Sequence, residues 1–474
     1  MQKINSTTMV VSEDPTFPRD FEKIVHSLDG LGLEVCASVE EAHTSFQALQ
    51  NKIVLVVVHV TNRRKEKRLL EFLRGGPAHD PNCVVLVLTE DYDPDQAFQF
   101  LQAGAAEYFR MTDELTTIAN LVDLLTSIQR HEEAGRIPRK SYPKKSPLAP
   151  DQTTFSISLL NMMEPLQRII PQSTTVLLEG ETGTGKTRLA RLIHECSPRR
   201  AEPFMVIDCS SLSENLIESE MFGHVRGAFT GADRDHKGKF GAVGKGTLFL
   251  DEINSLPMHL QSKLLRVIDE RMFEPVGSTE SVSMDARIVA ATNATSLEDE
   301  VARNNFRADL YYRLNVVGFY LPPLREHRDS VIPLALKFLT LFVRQNQRKI
   351  QRIAPNVLRT LTEYHWPGNI RELRNTMERA VALAPGPEIQ LSDLPPRLVS
   401  PKTARTPRPE ILISARQEPR EATIAETKEE AEIARIIQAL EKHNNNRLRA
   451  AKELGISRMG LYKKLHKYGL MTPN

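Results

Sequence analysis

The sequence predicts a multidomain α/β protein that ends in a small all-helical unit. Three observations carry that expectation. Short β-branched runs alternate with amphipathic runs through residues 1–130, the pattern of a doubly wound sheet. A second α/β segment opens with an apolar strand at Val176 to Leu178 that runs into a glycine-rich loop and then a helix. From about residue 422 the strand pattern is lost, and the chain reads as helix, break, helix, tight turn, helix.

Composition permits this. The chain has 474 residues, 41% hydrophobic and 26% charged, a balance expected of a globular protein of roughly three domains. No apolar run approaches the roughly 18 residues of a membrane span. The start, MQKINSTTMV, has no basic end followed by an apolar core, so no secretory signal is expected. Cys36, Cys83, Cys196 and Cys209 lie far apart and match neither a disulfide framework nor a zinc pattern; they read as reduced thiols of a cytoplasmic chain. Net charge is only +2, yet from Arg447 onward there are seven Lys or Arg and one acid, Glu453. A basic tail of that kind is a footprint expected for nucleic acid.

Two proline-rich, charged stretches read as linkers: HEEAGRIPRKSYPKKSPLAP at 131–150 and LVSPKTARTPRPEILISARQEPRE at 398–421. Such segments bury too little apolar surface to offset ordering entropy. They set off a first domain (1–130), a centre (151–397, α/β over 151–320 and helical over 321–397) and a tail (422–474).

In the first domain, TMVVSED, KIVLVVVHV and CVVLVLTED are short, apolar and β-branched, as strands buried on both faces are. PRDFEKIVHSLDGL and PDQAFQFLQAGA separate them as helices. With LQAGAAEYF leading into the last strand, the domain resembles a response-regulator receiver. That resemblance implies an aspartate at the end of the third strand, an acidic Mg²⁺-holding pair after the first, and a lysine after the last. The matching positions are His59, Ser12 with Glu13 (Asp14 following) and Met111, and Thr112 replaces the usual proline. Only Thr89 fits the family's hydroxyl. The expectation is a pseudo-receiver, controlled without phosphorylation. Whether it binds a partner protein, senses a small ligand or mediates dimerisation stays open.

The centre carries the strongest local signal. TTVLLEGETGTGKTRLARLIHE contains Gly180, Glu181, Thr182, Gly183, Thr184, Gly185, Lys186 and Thr187 between a strand and a helix, a full P-loop in its required setting. Glycines let backbone N–H groups turn inward around phosphates, and the helix N-terminus adds its positive end. Lys186 suits the β/γ-phosphates and the Thr187 hydroxyl suits Mg²⁺. GTLFLDEI supplies the second half. Its buried strand ends at Asp251 and Glu252, where sheet ligands bind; Asp251 is the expected Mg²⁺ partner and Glu252 the residue that polarises the attacking water. A third strand, ARIVAATN, ends at Asn293, placed to contact the γ-phosphate or the water. FRADLYYRLN carries Arg307 and Arg313, which can stabilise transition-state charge or simply lace a helix face with ion pairs. WPGNIRELRN puts Arg371 at the start of a helix. The implied cofactors are ATP and Mg²⁺.

Together these blocks identify residues 151–397 as resembling the AAA+ domain of the sigma-54-dependent transcriptional activators, the bacterial enhancer-binding proteins. ESEMFGHVRGAFTGA, GKGTLFLDEI, LQSKLLRVIDERMFEPVG, FRADLYYRLNV and WPGNIRELRN all read as family blocks, and GAFTGA is nearly a signature. The resemblance implies that Gly227, Ala228, Phe229, Thr230, Gly231 and Ala232 form a loop that touches sigma-54 in the RNA polymerase holoenzyme. Phe229 and Thr230 would make the contact. It further implies self-association, from a dimer to a ring that is usually a hexamer, in which Arg307 and Arg313 reach a neighbour's ATP and Arg371 acts as the second sensor in the helical lid. Two departures stand out. Thr187 follows the P-loop lysine where many relatives have Glu, and Asp208, in FMVIDCSSL, stands where Asn is common; beside Glu252 it would form a like-charge pair unless one is protonated or the two are held apart.

In the tail, Ile433, Ile436, Ile437 and Leu440 share one helical face, NNN breaks the pattern, Gly455 ends a short helix, and Ser457 caps the next. This resembles the Fis-type helix-turn-helix that ends most of these activators. The resemblance implies contact with double-stranded enhancer DNA through Arg449, Ser457, Arg458, Met459, Lys463, Lys464 and Lys467. Gly460 stands where the family often has Thr. The expected protein is a cytoplasmic, nucleoid-associated, ATP-hydrolysing activator. Two other readings are a DNA-binding regulator whose ATPase domain is only a ligand-gated scaffold, and a general AAA+ unfoldase or motor. An intact catalytic set with an intact GAFTGA disfavours the first, and the basic helix-turn-helix disfavours the second.

Overall fold

Eight consecutive buried residues, Ile53–Val60, form the middle strand of the first sheet. In the computed structural model the described residues are 6–19, 21, 31–49, 52–61, 66–80, 83–111, 162–211, 214–294, 296–399 and, in the tail, 439, 443, 451, 453–455 and 461. The chain divides into two units, Met1–Thr403 and Ala404–Asn474.

The first sheet holds β1 (Ser6–Val11), β2 (Leu31–Cys36), β3 (Ile53–Val60), β4 (Val84–Thr89) and β5 (Glu107–Arg110), in the order β2-β1-β3-β4-β5. All four pairings are parallel. This is the doubly wound order in which ligands sit beyond the strand ends at the β1/β3 switch point. The described helices are α1 (Val39–Ala48), α2 (Glu66–Gly75) and α3 (Pro94–Ala103). Helix α3 starts where Asp93 accepts from the amides of Asp95 and Gln96, with Pro94 in the first turn, and stops at Gly104, whose φ is +112°. A side chain there would collide with Ala78.

At the switch point, His59 is 4% exposed. Its Nδ1 shares a 2.9 Å hydrogen bond with Ser12 Oγ, and its ring stacks on Phe17 at 4.1 Å. Burial holds its pKa below the usual imidazole value. A packed imidazole therefore occupies the position of a phosphoacceptor, and Met111 packs half-buried against an apolar cluster that includes residues of both the first and the second sheet.

The second sheet holds β6 (Val176–Glu179), β7 (Phe204–Asp208), β8 (Thr247–Asp251), β11 (Arg287–Thr292) and β12 (Val317–Tyr320), in the order β12-β6-β11-β8-β7. A short antiparallel pair, β9 (Met272–Phe273) with β10 (Val282–Ser283), lies outside it. All pairings of the five-stranded sheet are parallel, so the ends of β6, β11, β8 and β7 line one edge. Around it stand α4 (Met163–Ile169), α5 (Lys186–Glu195), α6 (Glu214–Phe222), α7 (Gly238–Ala242), α8 (Met258–Glu270), α9 (Leu297–Ala302) and α10 (Ala308–Leu314). Arg287, 1% exposed, donates to the carbonyls of Ile169 and Ile170 at 3.0 and 2.8 Å. A cation there complements the carbonyl end of α4. Burial pushes its pKa down to about 10.

The lid follows as α11 (Val331–Gln345), α12 (Pro355–Glu363), α13 (Asn369–Leu383) and α14 (Pro396–Val399), with the two-residue parallel strands β13 (Arg352–Ile353) and β14 (Glu388–Ile389). Trp366 is wholly buried and donates Nε1–H to the Leu361 carbonyl at 2.8 Å. Leu334, Leu339, Phe342, Leu373, Met377 and Val381 share one core with it. Truncating such an aromatic costs about 3–5 kcal/mol.

The lid also meets the first domain. Lys337 of α11 pairs with the buried carboxylate of Glu107. Arg344 donates to the carbonyls of Leu101 and Gln102 at 2.8 and 3.0 Å, and Gln102 donates to the Ile350 carbonyl at 3.1 Å.

All four cysteines are free thiols, and three are buried. Among the described residues no helix is long and apolar enough to cross a membrane. In the second unit Ala439, Ala451 and Leu461 are buried, and Gly455 has φ +69°, as a helix-ending glycine does. Arg449, Ser457, Arg458, Met459, Lys463, Lys464 and Lys467 lie outside the described residues.

Candidate functional site

The loop between β6 and α5 is shaped by its glycines. Gly183 has φ +84°, and any Cβ would strike the Gly368 carbonyl. At Gly180, with φ +148°, a Cβ would lie 2.5 Å from the Leu321 carbonyl. Lys186, 7% exposed, donates Nζ to the carbonyls of Gly180 and Glu181 at 2.6 and 3.0 Å. Burial lowers its pKa, opposed chiefly by Asp251 and then Glu252. The ammonium thus stands inside the glycine cradle with two carboxylates near it.

At the adjoining edge, Thr187 Oγ1 donates to Asp251 Oδ2 at 3.3 Å. Burial raises the Asp251 carboxyl, and Lys186 is the largest opposing influence. A hydroxyl and a carboxylate meeting beside a P-loop lysine fit a hydrated Mg²⁺. Glu252 follows with φ +53° and ψ +46°. A left-handed glutamate is uncommon, and such conformations concentrate at functional sites. Asn293 lies just beyond Thr292, half-buried, and Thr292 Oγ1 donates to Asn254 Oδ1 at 2.8 Å. The structure therefore brings together the P-loop, Asp251, Glu252 and Asn293 on one sheet edge. Asp208 joins that edge as the register partner of Asp251. Its carboxylate accepts from Ser210 N and Oγ at 3.0 and 2.8 Å.

Lid contacts close the other side. Ile370 and Arg371 direct backbone N–H groups to the Gly183 carbonyl at 2.9 and 3.3 Å, and the Arg371 charge is felt by Lys186. Glu181 is less simple than a P-loop position suggests. Arg325 clamps its carboxylate through two bonds of 2.6 and 2.8 Å, and Asn369 Nδ2 adds a third at 3.2 Å. Sequence reasoning did not single out Arg325 or Asn369. The only available signal was that both fall within charged or polar blocks flanking the lid.

Arg307 and Arg313 are held by carboxylates of their own chain. Arg307 makes a two-pronged pair with Asp309 at 3.0 and 2.7 Å and donates to Ser262 Oγ at 3.0 Å. Arg313 pairs with Asp269 at 2.8 Å. Both lie on the surface, and neither contacts the P-loop or Asp251 among the hydrogen bonds and ion pairs of the described residues.

The GAFTGA segment is a pinched loop between α6 and α7. His224 and His236 exchange two backbone bonds of 2.8 Å at its base, and Gly227 N donates to the Ala232 carbonyl at 2.9 Å across its neck. Gly227 and Gly231 have φ of +84° and +102°. Phe229 is 40% exposed and leans edge-on against His224 at 4.9 Å. Thr230 is exposed, whereas Ala232 is 6% exposed and anchors the neck.

Comparison with known proteins agrees with this anatomy. The family models matched are the Sigma-54 interaction domain over residues 153–320, the AAA+ ATPase lid domain over 325–410, and the bacterial regulatory protein, Fis family, over 427–468. The chain is 35% identical over 475 residues to the regulatory protein AtoC of Escherichia coli K12, covering 99% of each. It is 36% identical over 426 residues to the transcriptional regulatory protein ZraR of Klebsiella oxytoca, covering 90% of this chain and 92% of that one. Among solved structures, NtrX of Brucella abortus in complex with ADP shares the fold at 23% identity with a TM-score of 0.50, covering 98% of this chain and 99% of that one. The chain belongs to the sigma-54-dependent transcriptional activators, with a P-loop AAA+ domain and a Fis-type helix-turn-helix.

Proposed function

We propose that this protein binds enhancer DNA through its tail, assembles into a ring and hydrolyses Mg-ATP to remodel sigma-54 RNA polymerase through the GAFTGA loop. One observation supports the coupling most directly. The chain leaves the sheet at Asp208, builds α6, the loop and α7, and re-enters at β8, which ends at Asp251. These two strands are neighbours, with Asp208 and Asp251 in register. The loop thus belongs to an excursion that leaves the sheet at the nucleotide edge, from Asp208, and returns to the far edge at Thr247, so a shift at Asp208 is passed to its base.

In this reading the P-loop amides and Lys186 bind the phosphates, and Thr187 with Asp251 holds Mg²⁺. The metal's contribution is to neutralise charge on the phosphate oxygens. Glu252 orients the water, Asn293 senses the γ-phosphate, and Arg371 does so from the lid. Arg307 and Arg313 exchange Asp309 and Asp269 for a neighbouring subunit's nucleotide when the ring forms. Arg449, Ser457, Arg458, Met459, Lys463, Lys464 and Lys467 read the DNA. Control of the first domain is independent of phosphorylation, because His59 and Met111 replace the reactive pair.

The test is open-complex formation at a sigma-54 promoter with purified protein, holoenzyme and ATP, comparing the full chain with Glu252→Gln. ATP-dependent opening by the full chain alone supports the reading. Nucleotide hydrolysis without opening would favour a DNA-binding scaffold instead.

A further inference from the structure

A carboxylate is an odd guest in a loop built to hold a polyanion. Glu181 is the second residue of the P-loop, and its charge is felt by Lys186. Left free, it would oppose the phosphates that Lys186 attracts. Three groups from outside the loop engage it. Arg325 Nη1 and Nη2 take one oxygen each, at 2.8 and 2.6 Å, the two-pronged geometry that arginine forms best. Asn369 Nδ2 donates to Glu181 Oε2 at 3.2 Å and to the Thr182 carbonyl at 3.1 Å.

Asn369 is itself firmly placed. It is fully buried and has φ +49°, a conformation asparagine tolerates better than most residues. Its Oδ1 accepts the Leu324 amide at 2.8 Å. One side chain therefore joins the P-loop, the turn that carries Arg325, and the first residue of α13. Every donor and acceptor of its amide has a use, which fixes its orientation. The Glu181 carboxyl is held below its usual range, chiefly by Arg325, so it is the charged form that the clamp retains.

We propose that Arg325 and Asn369 are positioning residues of the nucleotide site: they neutralise the Glu181 carboxylate, hold it away from the phosphate cradle and lock the lid to the P-loop. This rests on the ATP-binding reading above. It differs from the role of Arg371, because its action on the nucleotide runs through a carboxylate of the protein. That difference has a sign that can be measured. Removing Arg325 should expose a repulsive charge, and removing the charge as well should repair the defect.

The experiment titrates the full chain with a fluorescent ATP analogue in Mg²⁺ and measures KM and kcat for ATP. Arg325→Met should weaken binding and raise KM about tenfold, the effect of one carboxylate left unneutralised beside the phosphates, with kcat changed by less than about threefold. Adding Glu181→Gln to Arg325→Met should return affinity to within about threefold of wild type. Asn369→Asp keeps the acceptor for Leu324 N and suits the backbone, but turns the donor into a second carboxylate; it should weaken binding at least as much. Wild-type affinity in Arg325→Met would overturn the proposal. So would a double variant as weak as the single one, which would make Arg325 a strut. A wild-type chain that fails to bind the analogue would instead sink the ATP-binding reading, and the inference with it.

Discussion

Asp208 and Asp251 are register partners at the ends of adjacent parallel strands, yet their carboxylates serve different neighbours. Asp208 accepts from Ser210, while Asp251 accepts from Thr187. Asp208 thus has hydrogen-bond donors of its own within the turn that follows β7.

Asp208→Asn keeps an oxygen for the Ser210 amide. It should leave ATP hydrolysis within about threefold of wild type and stability within about 0.5 kcal/mol. Asp208→Ala loses the turn and should cost up to about 1 kcal/mol. Steady-state hydrolysis and urea unfolding check both. A tenfold rise in rate with Asn would show that the carboxylate throttles Glu252.

Phe229 contributes little to the core, being 40% exposed and touching His224 by its edge. Phe229→Ala should change stability by less than about 1 kcal/mol and ATP hydrolysis by less than about twofold. Promoter opening should disappear. Retained opening would mean that the loop does not make the working contact.

His194 gives the central domain a pH dependence. Its Nδ1 bonds with Thr247 Oγ1 at 2.9 Å in the core. Burial, then Arg191, lowers its pKa from 6.5 to about 4. The folded value lies below the unfolded one, so between these values the unfolded chain holds the extra proton. The contribution is complete above about pH 6.5 and is lost as pH falls toward 4, by about 2 kcal/mol between pH 7 and 5. Urea unfolding at both values should show that loss in wild type and a smaller one in His194→Asn. Equal losses would assign the pH dependence elsewhere.

The pair of Glu107 and Lys337 joins the first domain to the lid. Burial raises the Glu107 carboxyl, and Lys337 opposes that. Lys337→Met strands a buried carboxylate and should destabilise the docked arrangement by about 3–5 kcal/mol. Lys337→Met with Glu107→Gln removes both charges and should be much milder. Limited proteolysis between the two domains reads the difference; equal sensitivity of single and double variants would contradict it.

Acetyl phosphate should leave ATP hydrolysis unchanged in the full chain. His59 is packed against Phe17 and bonded to Ser12, and no lysine follows the last strand at Met111. Stimulation that vanishes when residues 1–130 are removed would refute this.

Much of the site was legible because its signals are local. Gly183 needs no partner to announce itself, since Gly180 to Thr187 lie within one turn between strand and helix, and GTLFLDEI carries its own strand and its own acids. The missed parts are those that unite distant segments. Arg325 and Glu181 are 144 residues apart, and Asn369 and Glu181 are 188 apart. Nothing in either neighbourhood says that they meet. Arg287 reads as the start of a strand, and only the fold shows it capping α4. Phe229 reads as a contact residue from its motif alone; its edge contact with His224 accompanies a backbone pairing of His224 with His236 that no short window reveals.

The silent thiols have a practical corollary. Burial pushes Cys36 up to about 11 and Cys209 up to about 12, and it raises Cys83 and Cys196 as well. Near neutral pH none of them offers an appreciable thiolate, the species that reacts with maleimides and oxidants. A cysteine introduced at exposed Thr230 would then be the one readily labelled group, without first deleting the native four. A dye there would follow the GAFTGA loop through a catalytic cycle in an otherwise unaltered chain.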